Sequence, residues 1–404
     1  MKTVLVLLAL LGAAFCEIDG SGEWYTSSAA PVTVIPTSAP TGLNKDRECA
    51  CTLENLWLDV VAVIDNSQGM GSGGLIQVAA DLASVFGQST VGSGYNDPRS
   101  VRVGIVLYSD SASVAYDLNY FQDRDQMIEH IFDVLSQPSA SSLSVAADLL
   151  AKNRTNGYRS NYKQAIIVYA SDYSQNGNQD PTIVAGGIKG SGTSIITVAF
   201  NQGAGNLDGL SKVASPGFNF TSADLNLVGE VQDSLCQTNC FCQDGWEQYR
   251  AVYGDLTTFK YGVCLSAANL DSMWTAAKFA CQNEYQGAYL VTEFDQQKHN
   301  FNLELFKNIS TNTVPYAYHI GLSYTNGAYS WEQGQSRTKK PLSNQRYQGW
   351  NSGFPLSNPS SAPCVDNQQL GTASTVGWSN ANCYSVSRKY LCESASCDTD
   401  KYCA

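Results

Sequence analysis

The chain has 404 residues, a formal net charge of −12 and only 15% charged side chains. So acidic a surface repels nucleic acid and anionic membranes, which excludes both as primary partners. The length exceeds what one hydrophobic core normally serves, so two domains are expected.

Lys2 is followed by an apolar stretch over residues 4–15, with the small residues Ala14 and Cys16 at positions −3 and −1 of a cut before Glu17. This pattern predicts a cleaved signal peptide over 1–16 and a secreted, extracellular protein. The stretch is well short of the roughly 20 residues a spanning helix needs, and no later segment is long and apolar enough to be transmembrane. Loss of Cys16 leaves 12 of the 13 cysteines, an even number that in an exported chain predicts up to six disulfides. The sequons at Asn153, Asn219 and Asn308 suit the same route and predict a glycoprotein. Residues 17–48 are rich in Ser, Thr, Pro and Gly and read as a disordered stalk, open to O-glycosylation.

From 56 to 235 strand and helix signals alternate. Strands are predicted at 56–64, 101–108, 112–118, 165–170 and 194–200 from their β-branched apolar runs. Leu75, Val78, Leu82, Val85 and Phe86 recur at helical spacing, so a helix should follow Gly74. Further helices are expected at 125–135 and 145–150. Such alternation implies a mainly parallel sheet covered on both faces. Composition shifts at Cys236, Cys240 and Cys242. Beyond them come Tyr, Trp, Asn and Gly, helical stretches near 271–284 and 294–307, then short strands and long loops, an α+β pattern.

The first strand ends in Asp65-x-Ser67-x-Gly69. Parallel sheets place their sites at this carboxyl edge, and a carboxylate with a hydroxyl offers the hard oxygens that Mg²⁺ or Mn²⁺ prefers. A third oxygen is missing at Gly69, so an ion would be held more weakly than in a complete loop. The plainer alternative is a relic loop in which Asp65 caps the following helix. Gly69-x-Gly71-x-x-Gly74 also matches a dinucleotide fingerprint, but Asp65 and Asp81 make the loop acidic and the chain is exported, which argues against a nucleotide. His130, His299 and His319 fall in no nucleophile or zinc motif, so no enzyme is expected.

The segments 58–67, 101–110, 165–172, 195–200 and 207–214, in that order and spacing, resemble a von Willebrand factor A domain. The resemblance implies an α/β Rossmann-like fold over 49–241 with a metal-ion-dependent adhesion site. Its ligands map onto Asp65, Ser67, Ser142 (in the place of a threonine) and Asp172, with both carboxylates expected on an exposed edge. Trp274-x-x-Ala277-x-x-x-Cys281, His319-Ile320-Gly321-Leu322, Trp331-Glu332-Gln333-Gly334, Trp378-Ser379-Asn380-x-x-Cys383 and Tyr390-Leu391-Cys392-Glu393 resemble a C-type lectin domain over 242–393, an α+β fold. Residues 394–404 form a cysteine-containing tail. The order of modules is similar to that of secreted nematode proteins joining the two.

The lectin resemblance implies the disulfides Cys281–Cys392 and Cys364–Cys383, with Cys242–Cys264 as the added pair of long forms. Six cysteines remain, with 15 connectivities. Proximity favours Cys397–Cys403, and Cys49 and Cys51 would then tie to Cys236 and Cys240 in either order. Sugar-binding members hold Ca²⁺ with a Glu-Pro-Asn type of loop and a Trp-Asn-Asp strand. Here these read Gly353-Phe354-Pro355-Leu356 and Trp378-Ser379-Asn380, so Ca²⁺ is not expected at the remnant Ser379 and Asn380. Trp378 and His319 read as core residues. Together the resemblances imply a recognition or adhesion protein for an extracellular protein or glycan ligand, with innate defence as a setting. The alternative is a structural glycoprotein of mucus, cuticle or matrix.

Overall fold

The computed structural model describes residues 47–92, 97–109, 111–138, 159–173, 180–200, 209–256, 258–309, 311–334 and 337–403. The expected signal peptide, the expected stalk up to residue 46, the helix expected at 145–150, Ser142 and Asn153 lie outside the described residues. Twelve cysteines form six disulfides: Cys49–Cys240, Cys51–Cys236, Cys242–Cys264, Cys281–Cys392, Cys364–Cys383 and Cys397–Cys403. No helix among the described residues is long and apolar enough to cross a membrane.

The first half builds a six-stranded sheet from β1 (Leu58–Asp65), β2 (Arg102–Tyr108), β3 (Ala112–Tyr116), β4 (Lys163–Ala170), β5 (Ser194–Ala199) and β6 (Asn219–Thr221). The order is β3-β2-β1-β4-β5-β6, with β3 alone antiparallel to its neighbour. The interior strands are apolar along their length because both faces are covered. Leu58, Val60, Ala62 and Ile64 pack into one cluster with α1 (Gly71–Val85), α2 (Arg124–Val134) and α5 (Leu227–Asn239). Val61 and Val63, one residue out of phase, pack into a second cluster with α3 (Pro181–Gly190) and α4 (Leu210–Val213). Helix α1 begins three residues before the position its apolar spacing suggested, at Gly71, and Met70 caps it without a side-chain bond.

One polar residue interrupts the first strand. Asp59 is fully buried and takes a bidentate ion pair from Arg102 (2.8 and 3.0 Å). It also accepts from the Arg159 backbone N–H at 2.7 Å and Nε at 2.9 Å. The carboxylate thus joins β1, β2 and the segment entering β4 at the amino edge of the sheet, opposite the edge that carries Asp65.

The second half holds β7 (Glu247–Arg250), β8 (Lys260–Met273), α6 (Trp274–Glu284), β9 (Tyr289–Leu290), α7 (Gln296–Lys307), β10 (Ala317–Thr325), β11 (Ala328–Trp331), β12 (Lys340–Pro341), β13 (Cys364–Gln369), β14 (Val376–Ala381) and β15 (Ser387–Ala395). Strand β15 pairs with β8 along most of its length and carries Cys392, which ties it to α6. In the chain-entropy picture a bridge over so long a loop contributes about 4–5 kcal/mol. Gly321 in β10 has a physical reason: a Cβ there would lie 2.4 Å from the Leu290 carbonyl oxygen. Trp331 and Trp378 meet edge to face at 5.5 Å in the core, and both are fully buried.

The tail does not stand apart. Phe241 and Cys397 form a bridge, Arg47 pairs with Asp398 at 2.9 Å, and Thr52 N–H donates to Thr399 at 2.9 Å. Trp57 is buried among Tyr162, Phe241 and Tyr402, and its indole N–H donates to the Asp398 carbonyl at 3.0 Å. Residues just before β1 are therefore clamped to the end of the lectin-like half.

Candidate metal and recognition sites

Strands β1 and β4 are neighbours whose connections leave in opposite directions, so a crevice opens between their carboxyl ends. Ligands of open α/β sheets bind at such a switch point. Asp65 ends β1, Ser67 follows in the loop to α1, and Asp172 stands two residues past β4. The register sets Asp65 opposite Tyr108 of β2. Burial, then the charges of Asp65 and Asp172, push the Tyr108 phenol well above its ordinary pKa, so both carboxylates bear on one hydroxyl. That phenol donates to the Tyr169 carbonyl at 3.3 Å. The structure thus brings Asp65, Ser67 and Asp172 to one edge.

The expectation that both carboxylates lie on an exposed edge is corrected. Asp172 is half-buried, but Asp65 is 0% exposed. The reason is that Asp65 serves the protein. Its Oδ1 accepts from Ser67 N–H at 2.9 Å, and its Oδ2 accepts from Ser171 N–H at 3.0 Å and Ser171 Oγ at 2.5 Å. It does not cap α1, whose first turn takes no side-chain bond. Ser171 is the participant that the sequence pattern did not single out. Its signal was available, as the hydroxyl residue immediately before Asp172.

The donors fit a hard divalent cation. A carboxylate has about four acceptor positions, and Asp65 has given three to N–H and O–H donors, leaving one. Among the described residues no group of three or more His, Cys, Asp or Glu side chains is placed to hold a metal, so hydroxyls and waters would have to complete any shell. In the same loop the Asn66 side-chain oxygen is buried without a hydrogen-bond partner.

In the lectin-like half, the remnant residues are built into the framework. Asn380 Nδ2 donates to Tyr329 OH at 2.8 Å and to the Ala362 carbonyl at 3.0 Å, while its Oδ1 accepts from Leu356 N–H at 2.9 Å. The amide therefore laces the loop of Phe354-Pro355-Leu356 to β14. Ser379 is buried, and its hydroxyl accepts from Asn351 Nδ2 at 3.0 Å. Trp378 is 0% exposed and donates to Glu293 at 2.7 Å. His319 is equally buried, between Asp366 (2.5 Å) and the Ser272 carbonyl (2.8 Å). His299 pairs with Glu293 at 2.7 Å.

Of the sequons within the described residues, Asn308 is exposed and donates to Tyr253 OH at 2.9 Å through one of its two Nδ2 hydrogens. Asn219 is exposed, and its Oδ1 accepts from Thr197 at 2.7 Å.

The family model of the von Willebrand factor type A domain matches residues 59–234. C-type lectin domain-containing protein 160 of Caenorhabditis elegans is 32% identical over 398 residues, 94% of this chain and 59% of that protein. This chain thus spans about three fifths of the length of that curated relative. Among solved structures, proximal thread matrix protein 1 from the mussel byssus, described with a zinc occupied MIDAS motif, is 16% identical, with a TM-score of 0.38 and coverage of 46% of each chain. The C-type lectin CEL-I from Cucumaria echinata is 16% identical with a TM-score of 0.29, covering 38% of this chain and 96% of its own. Residues 59–234 are accordingly a von Willebrand factor type A domain, and the chain joins it to a C-type lectin-like domain.

Proposed function

We propose that this chain is a secreted recognition and adhesion protein, with a divalent cation at the A-domain switch point as one contact for its ligand. The reading is supported by the placement of Asp65 and Ser67 at the end of β1 and of Asp172 just past the end of β4, its parallel neighbour, on the same carboxyl edge. A bound Mg²⁺ or Mn²⁺ would offer an open position to an acidic group of an extracellular protein or glycan partner. The chain's own part is to hold Asp65 rigid through Ser67 and Ser171 and to present Asp172 from the more open side.

The lectin-like domain recognises its ligand without Ca²⁺ in the Pro355 loop, since the Asn380 amide already laces that loop shut. We read the chain as a binder rather than an enzyme. His299 and His319 are each engaged by a buried carboxylate, which suits a structural role. Microbial or host surfaces, in innate defence, are the setting proposed.

The test is a binding screen of the secreted protein on glycan and microbial-surface arrays, with Mn²⁺ or with EDTA. Asp172→Ala is the informative variant, because Asp65→Ala would also empty a buried hydrogen-bonded site. Specific signal that falls with EDTA and with Asp172→Ala supports the reading. Signal indifferent to both removes the metal from it, and self-assembly without any ligand favours a structural glycoprotein.

A further inference from the structure

Gly69 is more than a lost ligand. A Cβ built on it would lie 2.9 Å from Ser171 Oγ, 3.4 Å from Ser67 Oγ and 3.9 Å from Ser171 Cβ. The first distance is closer than real Cβ atoms come to another heavy atom, so any side chain at 69 collides with the Ser171 hydroxyl. The space above residue 69 is therefore filled by Ser171, the residue just past the end of β4. Ser171 is buried and fixed twice, through N–H and Oγ, to one oxygen of Asp65.

We infer that Gly69 and Ser171 form a compensating pair, in which the Ser171 hydroxyl takes the place of the one missing at 69 and serves as an oxygen of the cation site. This rests on the cation reading proposed above. A hydroxyl has one proton and two lone pairs. The Ser171 proton is committed to Asp65 Oδ2, so its lone pairs are left for a cation beside Ser67. The loop thereby keeps two hydroxyls near Asp65, one from the loop itself and one from the adjacent strand end.

The experiment is a double-mutant cycle in the full-length secreted protein, with Gly69→Ser, Ser171→Ala and the pair, plus Ser171→Thr to retain the hydroxyl. Melting temperature is read first in EDTA. Gly69→Ser should destabilise the wild type and be neutral or stabilising on the Ser171→Ala background, a non-additivity expected of residues in contact. Melting is then titrated with MnCl₂, since an ion that binds only the folded state raises its stability. Ser171→Ala should weaken apparent Mn²⁺ affinity roughly 10–100-fold, the range seen when groups supporting a metal site are removed. The double variant and Ser171→Thr should recover it. Equal effects of Gly69→Ser on both backgrounds would overturn the exchange. Coupled stabilities with no Mn²⁺ response even in the wild type would instead overturn the cation site, and with it the ligand role of Ser171.

Discussion

Asn380→Asp is the sharpest probe of the lectin-like loop, because it restores the carboxylate that a calcium-binding strand carries. Were the loss of charge the whole story, this change would move the site toward Ca²⁺. The geometry gives the opposite expectation. Asn380 Nδ2 donates to Tyr329 OH and to the Ala362 carbonyl, while Oδ1 accepts from Leu356 N–H. An aspartate keeps the last bond. It loses the bond to Ala362, since two acceptors then face each other, and the Tyr329 hydroxyl must turn round to donate. One or two hydrogen bonds at about 0.5–1.5 kcal/mol each, with a carboxylate set against a carbonyl, put the cost at about 1–3 kcal/mol. For a domain of this size that lowers the melting temperature by roughly 2–12 °C. Calorimetry in EDTA measures the loss, and calorimetric titration with CaCl₂ measures binding. Micromolar Ca²⁺ binding by Asn380→Asp, or an unchanged melting temperature, would refute the assignment of Asn380 as a lacing residue.

Asp59→Ala should destabilise the A domain by about 3–5 kcal/mol by stranding Arg102 beside Arg159, and chemical denaturation should show it. Trp57→Ala should cost about 3–5 kcal/mol and raise hydrogen exchange across 397–403, whose Asp398 and Tyr402 rest on the indole. The Glu293–His299 pair should shape the pH dependence of the lectin-like domain. Burial opposes both charges, but their mutual attraction and hydrogen bond prevail, lowering Glu293 from 4.5 and raising His299 from 6.5. The lowered Glu293 contributes stability above about 4.5 that is lost as pH falls through its folded value. The raised His299 contributes fully below about 6.5 and is lost as pH rises through its folded value. Melting should therefore decline on the alkaline side, and His299→Gln should flatten that decline; an identical slope in the variant would count against the pair.

The alternation of strands with helices and the helical spacing are local and periodic matters, so the sequence by itself carried them, while the disulfides of the second half came from its resemblance to a family. The run 58–64, the helical recurrence of Leu75, Val78 and Leu82, and the Trp-x-x-Ala-x-x-x-Cys and Trp-Ser-Asn-x-x-Cys patterns were enough to give the fold class of both halves. Asp65, Ser67 and Asp172 were legible as oxygens at strand ends for the same reason. What the one-dimensional pattern leaves undecided is who fills a space or takes a proton across strands. The choice of Cys49–Cys240 and Cys51–Cys236 over the reverse pairing depends on how two chain ends cross. The full burial of Asp65, the hydroxyl of Ser171 over Gly69, and the two-ended use of the Asn380 amide depend on side chains distant in sequence meeting within about 3 Å, the range of a hydrogen bond. Spacing along a chain constrains which residues share a face; only packing decides which of them touch.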